Sequence, residues 1–202
     1  MTQALVKNPF IKFPDCLAEF LDDPPLVGDE TRESYNSFFA AIVVGLKPDD
    51  SIDWLYCKDV VDLFWQIRRE RTILASVVKL HQTEVVRDLL KAAADTSNAL
   101  ESAVYRIFDA SDDAQRWASD PAVRKEIDAR LSAKGHPPTA VLAEAYKRGA
   151  SDIDAIDKRI AWYEARRTEI IREIERRNVR LARDLDIASS PVIDGEFSEA
   201  AE

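Results

Sequence analysis

Glycine is scarce in this sequence, with five in 202 residues, at positions 28, 45, 135, 149 and 195. The loops that cradle nucleotide phosphates need it, and neither G-x-x-x-x-G-K-[ST] nor G-x-G-x-x-G occurs. Histidine and cysteine are rarer still, at two each. His81 and His136 stand far from one another and from Cys16 and Cys57, so no zinc-ligand spacing exists. H-E-x-x-H is absent, and neither histidine has Glu three residues before it, as a carboxylate metal site across facing helices would want. Two cysteines do not make a disulfide scaffold, which points to free thiols in a reducing compartment. No apolar run approaches the roughly 20 residues of a membrane span. The opening MTQALVKNPFIKFPD has neither the apolar core nor the cleavage site of a signal peptide. These absences nominate no catalytic, cofactor-binding or metal-ligating residue. The expectation is a cytoplasmic protein that is not an enzyme, with no cofactor, no small-molecule ligand and no membrane contact.

The residues that are present favour helices. Little Gly beside abundant Ala, Leu, Ile, Glu and Arg is a helical composition, and a 46% hydrophobic content allows a real core. The net charge is −9, with the acid gathered at the two ends. Residues 1–50 hold nine acids against four bases, and 188–202 hold four acids and no base. Overall acidity argues against broad nonspecific nucleic-acid binding, without excluding a local basic face.

Five segments follow from the punctuation. Residues 1–29 read as an N-terminal arm, with Phe10, Ile11 and Phe13 between two prolines and a short helix over 15–21. Residues 30–110 read as a helical core and a rising long helix. Tyr35, Phe38, Phe39, Ile42, Val43 and Leu46 share one face of a helix over 30–47. Pro48 stops it, Asp50 or Ser51 caps the next, and so short a connection predicts an antiparallel return. The stretch 52–67, with Ile52, Leu55, Val60, Phe64 and Trp65, is apolar on several sides and predicts burial most of the way round. A narrower stripe of Leu74, Val77, Val78, Val85 and Leu89 follows, as in a helix leaving the globule. A break near 95–98 or an unbroken rod to 109 are both open. Residues 111–150 read as a cap of short helices, one started by Ser111, one by Asp120-Pro121, and one running from Pro137-Pro138 to Gly149. Residues 188–202 read as a disordered acidic tail.

The remaining segment, 151–187, has no Pro and no Gly. It predicts one helix capped by Ser151, about 54 Å long at 1.5 Å per residue. Ile153, Ile156, Ile160, Tyr163, Ile170, Ile174 and Leu181 form a candidate packing seam at coiled-coil spacing, which Arg167 interrupts. Its partner is either the protein's own 70–92 segment or a second chain. From 158 to 183 the helix carries nine bases against four acids. Arg166, Arg167, Arg172, Arg176 and Arg180 are a candidate basic interaction face, for phosphate or for an acidic protein segment. Pairing with acids on the same helix, as between Glu173 and Arg177, is the plainer account of those charges. His81 sits at helical spacing from Val77, Val78 and Val85, as a core or interface histidine would.

Three stretches, DPPLVGDETRESY (23–35), DVVDLFWQIRRERTILASVV (59–78) and DKRIAWYEARRTEIIREIERRN (157–178), with the acidic DGEFSEAAE end, resemble an uncharacterised family of helical bacterial proteins. The resemblance implies no activity and carries an association with mobile elements. The expected architecture is all-α, an elongated helical bundle with a long helical hairpin or coiled-coil projection. The expected function is a non-catalytic interaction or scaffold protein associating through coiled-coil helices, with a protein partner or a homo-oligomer. The alternative is a DNA-binding accessory protein of a mobile element or phage, using 121–134 and 138–148 as a helix-turn-helix.

Overall fold

The computed structural model describes residue 17, residues 23–93 and residues 109–189, the last six of these as backbone only. The expected arm over 1–14, most of the short helix over 15–21, the 95–98 break and residues 190–202 of the tail lie outside the described residues. The described chain is all-α, with six helices and, among the described residues, no strand. They are α1 Arg32–Leu46, α2 Ser51–Ala93, α3 Ala110–Ser119, α4 Pro121–Ala133, α5 Pro138–Arg148 and α6 Ala150–Ser189.

Each helix end has a local cause. Thr31 Oγ1 accepts from the Ser34 N–H at 3.2 Å and starts α1. Lys47, at φ 49°, closes α1 in the left-handed conformation, its N–H bonded to Val43 O, and Pro48 cannot continue the helix. Asp50 Oδ1 then accepts from the N–H groups of Ile52 and Asp53, both at 2.9 Å, so Asp50 and not Ser51 caps α2. Asp120 does the same for α4 through Ala122 and Val123, with Pro121 in the first turn. Two serines expected as caps are not caps. α3 begins at Ala110, before Ser111. In α6 the Ile153 N–H bonds to Gly149 O, so the first helical acceptor precedes Ser151.

The chain divides into two compact units, residues 1–64 with 165–202 and residues 65–164. In the first unit α1 returns antiparallel on the start of α2. Tyr35, at the beginning of α1, donates its hydroxyl to Asp62, and Phe38 meets Phe64 edge-on at 5.4 Å. The core gathers Val60 of α2 with Ile170 and Ile174 of α6, flanked by Ile42, Leu46, Tyr56, Leu63, Phe64 and Ile171. Burial over 52–67 is narrower than the sequence suggests. Cys57, Val60, Val61, Trp65 and Ile67 are buried, whereas Ile52 is 48% exposed and Leu55 41%. These two fall on the side of α2 turned away from Val60 and Val61.

In the second unit α3, α4 and α5 close a core over one end of α2. Val85, Val86 and Leu90 of α2 pack with Ala110, Ala114, Trp117, Ile127, Leu131, Val141 and Ala145. Trp117 also donates Nε1–H to Asp128 at 2.8 Å and lies under the Arg124 guanidinium. The first helical turns past Gly149 lie against the same helix. A Cβ on Gly149 would stand 2.5 Å from His81 Cδ2, which explains why the α5–α6 joint carries glycine.

Candidate interaction surface

α2 and α6 pair antiparallel in both units, and the pairing disposes the candidate residues. In the second unit Ile153 and Ile156 are buried, and Ile160 and Tyr163 are half-buried. In the first, Ile170 and Ile174 are buried on Val60. Leu181 is 43% exposed and touches neither core. The Arg167 guanidinium stacks on the Phe64 ring, 4.3 Å from its centroid, so the position that interrupts the heptad still contributes a flat apolar contact.

Ion pairs set the register. Arg159 clamps Glu70 through Nε and Nη2 at 2.8 and 2.9 Å, and the Glu70 side chain is only 11% exposed. On the opposite flank Arg71 reaches Glu164 at 2.7 Å. In the first unit Arg177 Nε donates to Asp53 Oδ1 at 2.8 Å and Nη2 to Asp50 Oδ2 at 2.5 Å. Lys58 donates to Asp62 Oδ2 at 2.5 Å, beside the Tyr35 hydroxyl. Among the described residues the three buried charged ones, Asp53, Lys58 and Glu70, are therefore all hydrogen-bonded. That is the condition for keeping charge in a core. Burial, with Asp53 nearby, pushes the Cys57 thiol up to about 12. Partial desolvation and Asp62 also raise the carboxyl of the exposed Asp59, against Arg166 and Lys58, which lower it.

The candidate basic face is mostly occupied by its own surroundings. Arg176 makes two bonds to Glu173, Arg166 reaches Glu169 at 3.3 Å, and Arg167 is stacked on Phe64. Arg172 and Arg180 are exposed on α6. The five arginines do not converge on one point.

Open clefts lie among the described residues, and two of them border α2. One, about 410 Å³, lies in the second unit between Val85 and Leu89 of α2 and Ala140 and Val141 of α5, with Asp88, Glu144, Arg148 and His136 at its rim. Arg148 spans that rim, bonding Asp88 at 2.7 Å and Glu144 at 3.3 Å. Burial would raise the Asp88 carboxyl, but the bonds from Arg148 and Arg87 outweigh it and hold Asp88 below the usual carboxylate range. The other cleft, about 400 Å³, lies in the first unit beside the Asp50–Asp53–Arg177 joint. Among the described residues no group of His, Cys, Asp and Glu is placed to hold a metal ion. Among them, too, no helix is long and apolar enough to cross a membrane.

A surface the sequence did not mark stands out in the second unit. No residue of α2 from 71 to 84 is buried, and no residue of α6 from 157 to 164 is buried. Among the described residues, these stretches and the adjoining Glu70 are bonded to one another through Arg159–Glu70 and Arg71–Glu164. Ile73 is 41% exposed, Leu80 58% and Trp162 62%. Ile73 and Leu80 are seven residues apart and share one stripe of α2 with Arg69 and Glu84. On α6, Asp152, Ala155, Arg159 and Trp162 form a stripe at 3-4-3 spacing. The Arg159–Glu70 clamp places both stripes on the same flank, opposite the one bridged by Arg71 and Glu164. The seven-residue spacing of Ile73 and Leu80 was visible in the sequence, but a wider apolar stripe beside it drew the seam elsewhere. A scan against protein-family models, a search of curated proteins and a search of solved structures each return no match.

Proposed function

We propose that this chain is a non-catalytic helical interaction protein whose contact surface is the α2–α6 flank bearing Ile73, Leu80 and Trp162. One observation carries the reading. Among the described residues, none of α2 between Glu70 and Val85 is buried, and three large apolar side chains, Ile73, Leu80 and Trp162, are exposed on this flank. Scattered exposed apolar residues are ordinary on a protein surface. Three on one flank of a two-helix pair, beside a half-buried seam, make a patch of the kind that partners cover. The seam residues Ile153, Ile156, Ile170 and Ile174 are engaged within the chain, so association uses the outer flank in their place. A photoreactive phenylalanine analogue at position 80 of the full chain should give a polypeptide adduct on irradiation in the native host. The exposed Thr72 position serves as control. Adduct at position 80 no greater than at position 72 would remove the reading.

A second reading is DNA binding by α4 and α5, as an accessory protein of a mobile element or phage. It is favoured by one observation: the two helices are joined by residues 134–137 only, share the Ile127–Leu131–Val141–Ala145 core, and leave the first turn of α5 exposed. A helix-turn-helix also joins its two helices by a turn of this length. The pair here has few base-reading side chains to offer, and Arg148 is already held by Asp88 and Glu144. DNA binding that weakens as salt rises would support it, and its absence at low salt would end it.

A further inference from the structure

We draw no further inference here: the strongest candidate, the exposed apolar flank of α2 and α6 in the second unit that bears Ile73, Leu80 and Trp162, belongs to the surface already described, and nothing in the structure shows what covers it.

Discussion

Replacing Gly149 by Ala should destabilise the protein, against the usual sign for that change. Gly149 has φ −84° and ψ 6°, a conformation open to any residue. On backbone grounds alone the substitution should stabilise by about 0.4–1 kcal/mol, through the unfolded chain. The surroundings reverse this. The new methyl would lie 2.5 Å from His81 Cδ2, 3.0 Å from His81 Nε2 and 3.3 Å from Ile153 Cδ1. The imidazole cannot simply swing away, because Nδ1 is bonded to Glu84 Oε2 at 3.0 Å and the ring is largely enclosed. Overpacking of this kind costs about 1–3 kcal/mol. The net expectation is a loss of roughly 0.5–2.5 kcal/mol once the backbone gain is subtracted. Urea titration followed by circular dichroism reads it as a lower midpoint at unchanged slope. The reasoning makes a sharper demand on a His81→Ala background. There the obstruction is gone, and Gly149→Ala should stabilise by about 0.4–1 kcal/mol. The same sign on both backgrounds would refute the proposed contact between His81 and the α5–α6 joint.

Three further outcomes follow from the cores. Ile174, 1% exposed against Val60, should cost about 2–5 kcal/mol when cut to Ala, whereas Leu181→Ala, at 43% exposure, should change stability little in the same titration. The Cys57 thiol, fully buried and pushed up to about 12, should be inert to a thiol-specific aromatic disulfide in the folded protein and reactive in urea; reaction without denaturant would contradict its burial. Asp59, an exposed residue of α2, is held above its ordinary range by partial desolvation and by Asp62, against the pull of Arg166 and Lys58. Its ionised form therefore costs stability at neutral pH, and that cost disappears as pH falls through the raised value. Asp59→Asn should raise the urea midpoint at pH 7 and lose the advantage toward pH 4. An advantage unchanged with pH would show that ionisation is not its source.

Much of the fold was legible because helix ends are local. Pro48 after Lys47, Asp120 before Pro121, and the Pro137-Pro138 pair each act within one turn, and each marks an observed boundary. The long α6 was legible for the same reason, since nothing in it could break a helix. Ser151 misled because capping depends on where the backbone first turns helical, and Gly149 O already accepts from Ile153. Ile52 and Leu55 misled because composition counts apolar residues without saying which face meets a neighbour. The exposed flank of Ile73, Leu80 and Trp162 was illegible for a related reason. An apolar residue in a helix is evidence of burial only when something packs on it, and among the described residues none of α2 from 71 to 84 is buried.

Register is the property that no periodicity could supply, and the buried charges are what set it. A heptad-like stripe fits its partner nearly as well after a slip of seven residues. Such a slip toward the start of α6 would put Asp152 beside Glu70, two acids against each other, and Ile170 beside Asp53, leaving a buried carboxylate without its guanidinium. The opposite slip would give Glu70 a new partner in Arg166, but would bring Asp184 to Asp53. Arg159 and Arg177 satisfy both carboxylates only in the observed alignment. The apolar stripe therefore supplies the attraction between α2 and α6, while Glu70 and Asp53 select the alignment.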